Sequence, residues 1–190
     1  MKTLMISLKI FLFFTILTGV VYPLVVTGIA QLVFPAKANG SLIRNGGRVI
    51  GSELIGQQFN SPAYFSSRPS AVTYNPLPSG GSNFGLTNIK LKKFADSCRT
   101  RFLEFNHLDS LTLIPSEMIF ASASGLDPHI SPAAALLMAE RVAMARNFSK
   151  TQKLQLEKCI QQLTEPPQFL FLGEERINVL LLNLATDKIK

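Results

Sequence analysis

Residues Ile10–Phe34 read IFLFFTILTGVVYPLVVTGIAQLVF, a run that contains no Asp, Glu, Lys or Arg. As an α-helix this run would be roughly 37 Å long, against roughly 30 Å for the hydrocarbon core of a bilayer. Gly19, Pro23 and Gly28 lie inside it; such residues weaken a helix in water but are tolerated in lipid. The run predicts one transmembrane helix over residues 10–34, preceded by a short segment, 1–9.

A cleavable signal peptide is the alternative for this segment. Lys2 and Lys9 would form its charged beginning, and Ala36-Lys37-Ala38 resembles a small-residue cleavage site. The apolar part of a signal peptide is usually about 7–15 residues long, and the run here is longer, which favours a retained anchor. The charges leave the direction of insertion open, because basic residues follow the run as closely as they precede it.

The remaining residues, 35–190, have the length of one ordinary domain. The chain is basic, with a formal net charge of +7 and a pI of about 9.7. Its densest basic stretch, Lys90–Arg101, lacks a nucleic-acid-binding motif, so a solvated helix face is expected. The sequence contains no CxxC or HExxH spacing that would predict a metal site. Cys98 and Cys159 are expected to be buried free thiols, with a disulfide as the alternative in an oxidising compartment.

Periodicity and capping residues predict a mixed α/β (α+β) domain with long ordered loops. Ile177–Leu184 fits either a strand or a short buried helix, and periodicity does not choose between them. The other predicted elements are a strand at Arg48–Ser52, a helix at Ile89–Phe105, a strand at Leu111–Ile114, a helix capped by Ser131 that runs through Arg146, and a helix that begins at Ser149 with Gln152 completing a capping box.

Two loops stand out by composition. Phe59–Asn88 is rich in Pro and Gly but also carries five aromatic residues. A loop of this length within a domain is usually functional, and a flexible linker would not carry those aromatics. We therefore expect an ordered surface loop that makes specific contacts. The second loop, Ser122–Ser131, reads SASGLDPHIS.

Ser124, Asp127 and His129 lie close together in the second loop and raise the possibility of a serine hydrolase. The sequence lacks the GxSxG motif that exposes a nucleophilic serine on a strand-to-helix turn. Asp-Pro and Ser-Gly pairs are also common turn formers. Turn and capping roles are therefore the favoured interpretation.

Two other groups of residues have alternative interpretations. The segment Gly80-Gly81-Ser82-Asn83 would offer backbone N–H groups to an anion, but it lacks the Lys-Ser/Thr pair of a phosphate loop, so tight turns are favoured. Arg141 and Arg146 are expected either to pair with a carboxylate such as Asp127 or Glu140 or to face solvent.

Five segments are more distinctive than any catalytic motif: GSELIGQQFNSPAYFSSRPSA (Gly51–Ala71), YNPLPSGGSNFGLTN (Tyr74–Asn88), ASASGLDPHISPAAA (Ala121–Ala135), RVAMAR (Arg141–Arg146) and FLGEERINVLLLNLATD (Phe171–Asp187). In their order, their spacing and the single apolar run before them, they resemble the C subunit of the Kdp-type potassium-transporting ATPase, the KdpC family. The resemblance covers nearly the whole chain after the anchor.

The resemblance implies a non-catalytic subunit of a high-affinity, ATP-driven potassium uptake complex. Its partners would be a channel-like potassium-translocating subunit, a P-type ATPase subunit and membrane lipid, with no nucleic acid. The chain would cross the bacterial inner membrane once, with a short cytoplasmic N-terminus, residues 1–9, and an extracytoplasmic domain, residues 35–190, on the periplasmic side. The family is associated with assembly and with a catalytic-chaperone effect on ATP affinity, so ATP is expected only through the complex. A membrane-anchored serine hydrolase and a periplasmic ligand-binding module are the alternatives.

The same resemblance directs attention to particular residues. Met138 stands where the family has a Gln linked to nucleotide effects, and a thioether lacks the hydrogen bonds of an amide. Gly19, Pro23 and Gly28 are candidates for packing against another membrane subunit. The candidate subunit-contact residues are Tyr74, Asn75, Gly80, Gly81, Ser82, Asn83, Thr87, Asn88, Ser122, Ser124, Gly125, Asp127 and His129.

Overall fold

A computed structural model describes residues 1–189 of the chain, which divides into two compact units, Met1–Ile50 and Gly51–Lys190. In the first unit, residues Lys2–Val33 form a continuous helical segment of 32 residues, within which an 18-residue stretch has a mean hydropathy of 2.3. Among the described residues it is the one helix long and apolar enough to cross a membrane. It consists of α1 (Lys2–Ile16) and α2 (Tyr22–Val33), joined by a π-helical turn at Leu17–Val21.

The π-helical turn has a local cause in Pro23. Proline has no N–H to donate to the carbonyl four residues earlier, here that of Gly19, and its ring needs room beside that carbonyl. The wider turn at Leu17–Val21 contains Gly19 and ends just before Pro23. It is the kind of local adjustment by which a helix accommodates a proline.

After the apolar helix come α3 (Pro35–Ala38) and a β-hairpin. Its strands are β1 (Leu42–Asn45) and β2 (Arg48–Ser52), so the predicted strand at Arg48–Ser52 is confirmed. Gly46 and Gly47 connect them and both have positive φ, 56° and 83°. Two successive positive φ values are what a type I′ hairpin turn requires.

The second unit is a mixed α/β domain with a small sheet. Its helices are α4 (Ile89–Asn106), α5 (Pro132–Ala145), α6 (Lys150–Gln162) and α7 (Val179–Thr186), with a 3₁₀ turn at Ser116–Met118. Two short antiparallel strands, β3 (His129–Ile130) and β4 (Ile177–Asn178), pair His129 with Asn178 and Ile130 with Ile177.

The predicted helix starts are confirmed by their caps. The Ser131 hydroxyl accepts a hydrogen bond from the Ala134 N–H at the start of α5. At the start of α6, Ser149 and Gln152 form the expected capping box.

Helix α5 supplies the centre of the hydrophobic core. Its buried residues are mostly small, which permits close packing of neighbouring elements; the buried apolar residues of α5 are Ala134, Ala135, Met138, Ala139, Val142 and Ala143.

One prediction for the second unit is wrong and another is confirmed only in part. Leu111–Ile114 is not a strand: Leu111 and Leu113 are 86% and 89% exposed. The Asp109 carboxylate accepts the Leu111 N–H and its carbonyl accepts the Thr112 N–H, which closes a turn at this point. Cys98 and Cys159 are free, but both are only partly buried.

The segment Ile177–Leu184 combines both of its predicted alternatives. Ile177–Asn178 is the short strand β4 and helix α7 follows immediately. The Asn178 side chain makes this change possible, because its amide oxygen accepts the Leu181 N–H and caps α7.

Candidate subunit-contact site

The two distinctive loops, Phe59–Asn88 and Ser122–Ser131, lie against each other through their backbones. The Gly80 N–H donates to the Ser124 carbonyl at 3.0 Å. Just before the first loop, the Gly56 N–H donates to the Leu126 carbonyl at 2.7 Å. A Cβ on Gly56 would lie 2.6 Å from the Asp127 carbonyl oxygen, so a side chain at this position would force the two segments apart.

Gly125 is required at the same contact for two reasons. Its φ is +69°, a conformation that favours glycine. A Cβ there would lie 2.7 Å from the Val72 Cγ2 and 3.0 Å from the Gly80 carbonyl oxygen. The backbone of the second loop therefore depends on glycine for its fit against the first.

Asp127 joins the two loops through its side chain. Its Oδ2 accepts a hydrogen bond from the Arg68 Nη1 at 2.6 Å. Its Oδ1 accepts the His129 backbone N–H at 3.0 Å and lies 3.3 Å from the His129 Nδ1. Burial by itself would raise the pKa of Asp127, but the hydrogen bonds from His129 and the charge of Arg68 outweigh it, and the pKa lies below its usual value.

Tyr74 fixes the first loop internally. Its hydroxyl donates to the Arg68 carbonyl and its N–H donates to the Ser70 hydroxyl at 2.9 Å. Burial, with a smaller contribution from the nearby Cys98, raises the pKa of Tyr74 to about 12. The phenol is therefore neutral at physiological pH and acts as a hydrogen-bond donor.

Three further candidate residues have turn or capping roles. The Asn75 amide oxygen accepts the Leu77 N–H at 3.0 Å, and the Asn88 amide oxygen accepts the Lys90 N–H at 2.9 Å as the cap of α4. The Ser124 hydroxyl accepts the Leu126 N–H at 3.1 Å. Among the described residues no hydrogen bond joins Ser124 to His129, so the arrangement of a serine nucleophile and its base is not formed.

The other candidates separate into two groups. Gly81, Ser82, Asn83 and Ser122 line a cavity of about 520 Å³ between the two loops and α4. Thr87 and Asn88 lie outside its lining, at the start of α4. The structure therefore brings most of the predicted contact residues into one surface region of the second unit.

The three candidate membrane-packing residues lie in the first unit. Beyond the adjacent residues and the backbone of the same helix, a Cβ placed on Gly19 or on Gly28 would have no atom of this chain within 4 Å. Both positions are therefore free to accept the surface of another helix.

Arg141 was expected to pair with a carboxylate or to face solvent, and this prediction is wrong. The residue is only 2% exposed. Its Nε donates to the Asn106 amide oxygen at 2.8 Å, its Nη1 donates to the carbonyls of residues 62 and 64, and its guanidinium carbon lies 4.3 Å from the centre of the Phe105 ring. Arg141 thus holds the first loop and the end of α4 against α5.

For Arg146 the prediction of a carboxylate partner is confirmed, although that partner is neither Asp127 nor Glu140. Glu140 forms its ion pair with Lys153 of α6. Arg146 pairs with Asp187 at 2.7 Å and donates to the Ala63 carbonyl at 2.7 Å.

Asn183 was missed by the sequence analysis. Its amide oxygen accepts the Phe65 N–H at 2.7 Å and its amide nitrogen donates to the Phe65 carbonyl at 3.0 Å. The side chain thus satisfies both backbone groups of a buried loop residue, as a neighbouring strand would. The LLLN run around Asn183 offers one signal, since a lone amide within an apolar helix needs a buried partner.

The model of the KdpC family, described as K+-transporting ATPase, c chain, matches residues 4–188. The chain belongs to the KdpC family. A potassium-transporting ATPase KdpC subunit from Methylococcus capsulatus is 48% identical over 187 residues, covering 97% of this chain and 96% of the relative. Subunits of the same name from Geotalea uraniireducens and Mycobacterium tuberculosis are 47% and 45% identical and cover 99% or more of both chains.

Family membership identifies the chain as a subunit of a potassium-transporting ATPase complex. Met138, which stands where the family has a Gln, is a core residue. It is 0% exposed, and its sulfur accepts the Ser66 N–H at 3.4 Å. The side chain at this position therefore faces the first loop from inside the domain.

Proposed function

We propose that this KdpC-family chain is a non-catalytic, single-pass membrane subunit that assembles a potassium-transporting P-type ATPase. The helical segment Lys2–Val33 crosses the bacterial inner membrane, and the unit Gly51–Lys190 lies on the periplasmic side. The observation that carries the proposal is the family match over residues 4–188, which includes both the apolar helix and the folded unit.

The construction of the candidate site supports an assembly role. Its polar side chains are engaged in turns, caps and the Arg68–Asp127–His129 cluster. Such side chains shape a surface, because their hydrogen-bonding groups are already used within the domain. The surface is suited to contact the channel-like and ATPase subunits proposed as partners.

The position of Met138 supports an indirect effect on ATP. A fully buried side chain has no contact with a soluble nucleotide. We therefore propose that any change in the ATP affinity of the ATPase subunit is transmitted through subunit contacts, and that this chain binds no cofactor itself.

The test is deletion of this chain from the complex. We expect the remaining subunits to lose potassium-dependent ATPase activity and to separate during purification, and we expect the purified chain alone to hydrolyse no ATP. Normal assembly and potassium-dependent activity without this chain would contradict the proposal.

A further inference from the structure

A hairpin between α6 and β4 presents an apolar tip that the rest of the domain does not cover. Two pairs of backbone hydrogen bonds form its stem, between Glu165 and Arg176 and between Gln168 and Leu172. The side chains of Phe169, Leu170, Phe171 and Leu172 are 80%, 86%, 75% and 51% exposed. These four residues are the hairpin tip.

The apolar surface of the hairpin tip is unusual for a protein without a partner. The largest exposed apolar patch of a typical monomer is roughly 300–600 Å² and is often functional. Here four large apolar side chains in succession are exposed at one turn. Scattered single residues would need no explanation, but a contiguous group of this kind marks an interaction surface.

The backbone of the hairpin tip holds these side chains outward at a conformational cost. Phe169 and Leu170 have φ values of 54° and 70°. Left-handed backbone is uncommon for bulky apolar residues, and local strain of this kind often accompanies a binding role. Pro166 and Pro167 stiffen the stem just before the tip.

The negative charge beside the hairpin tip distinguishes between its possible binding partners. Glu174 and Glu175 follow the tip after Gly173, are exposed, and form no ion pair among the described residues. Glu165 is already paired with Arg176 at 2.9 Å. The tip is therefore followed by unpaired negative charge. Anionic lipid head groups would repel this charge, whereas a basic rim around an apolar pocket would attract it.

We propose that the hairpin tip inserts into an apolar pocket with a basic rim on another protein subunit of the transport complex. The proposal rests on the proposed function, because it takes the partner from the same assembly. Phe169 and Phe171 would be the central anchors, since buried aromatic side chains commonly dominate interface energy. Glu174 and Glu175 would face the basic rim.

The test uses the complete complex with the full-length chain carrying Phe169→Asn and Leu170→Gly. Both replacements suit positive φ, so they remove the apolar side chains without adding backbone strain. The matched control is Leu111→Asn with Leu113→Asn, which removes two equally exposed leucines from a different loop. Thermal melting of each purified variant verifies that the domain is folded.

We expect the tip variant to melt no lower than the native chain yet to remain with the other subunits at least about tenfold less. The control should remain at the native level. Equal retention of the tip variant and the native chain would overturn the proposal while leaving the proposed function intact. Equal loss by the tip variant and the control would overturn it too, because the effect would not be specific to the hairpin tip. Failure of the native chain itself to remain with the other subunits would refute the proposed function instead.

A charge-reversed variant, Glu174→Lys with Glu175→Lys, separates a protein pocket from a lipid surface. We expect weaker retention in the complex, because a basic rim would repel the introduced lysines. Unchanged or stronger retention of the charge-reversed variant would overturn the proposal, since anionic lipid would attract the lysines instead.

Discussion

Arg141 carries a buried positive charge that is balanced by neutral acceptors. Its fork of N–H groups reaches the Asn106 amide and two loop carbonyls, while its plane lies over the Phe105 ring. Burial lowers the pKa of Arg141 to about 10, which still leaves the guanidinium charged at neutral pH. Its geometry depends on a planar group with several donors in fixed directions, which lysine lacks.

We therefore predict that Arg141→Lys destabilises the domain by about 2–4 kcal/mol, because hydrogen bonds to charged groups are worth about 1.5–3 kcal/mol each and the ammonium reaches fewer acceptors. Chemical denaturation of the purified full-length chain in detergent measures this. Arg101→Lys, at an exposed position, is the control and should change stability little. A similar small effect at both positions would show that the Arg141 contacts contribute nothing specific.

The depressed pKa of Asp127 gives the stability of the domain a defined dependence on acid. The folded-state pKa of Asp127 lies below its usual value of about 3.9. The ionised carboxylate therefore stabilises the folded domain above that pH, and this stabilisation is lost as the pH falls through the folded-state pKa. We predict that Asp127→Asn lowers Tm at neutral pH and that the difference from the native chain disappears in strong acid. Melting curves between neutral and acidic pH measure it, with the exposed Asp96→Asn as control. A pH-independent difference would contradict an ionic role for Asp127.

At the scale of elements, the contact between the two loops depends on residues without side chains. We predict that Gly125→Ala destabilises the domain by about 1–3 kcal/mol, because alanine disfavours its φ of +69° and the added methyl group meets Val72. Gly85→Ala is the matched control, since a Cβ there has open space. Thermal melting of both variants measures the difference, and equal melting temperatures would contradict the packing described here.

The elements that were predictable from sequence are those determined by nearby residues. Helices α4, α5 and α6 follow from apolar spacing of three and four residues and from caps such as Ser131 and Ser149. The apolar run Leu111–Ile114 misled the same reasoning, because a short apolar run does not by itself show that its side chains are buried. Asp109 closes a turn there and both leucines remain in solvent.

The sequence was enough to nominate the residues of the candidate site, but not to predict the long-range contacts that hold it together. The resemblance drew attention to two loops, and Gly81 and Gly125 lie where their backbones meet. The partners of Arg141 and Asn183 lie up to 118 residues away in sequence, and no local pattern encodes that distance. A lone buried arginine and a lone buried asparagine are identified as structural only when their partners are known.

At the scale of the whole molecule, the apolar helix has features that a simple tether would not need. Gly19 lies in the π-helical turn before Pro23, and Gly28 follows in α2. Both positions are open within this chain. Small residues let helix backbones approach closely in lipid, where packing and hydrogen bonds replace the hydrophobic effect as the driving force for association.

We therefore predict that Gly19→Leu with Gly28→Leu reduces co-purification with the other subunits while leaving the melting temperature of the purified chain unchanged. A Cβ at either position has open space beyond its own helix backbone, so we expect the effect to arise between helices. Val26→Leu, at another exposed apolar position of α2, controls for a larger side chain in the same helix. If the double variant co-purified as well as the native chain, the helix would act as an anchor alone, and assembly would depend on the folded unit and its hairpin tip.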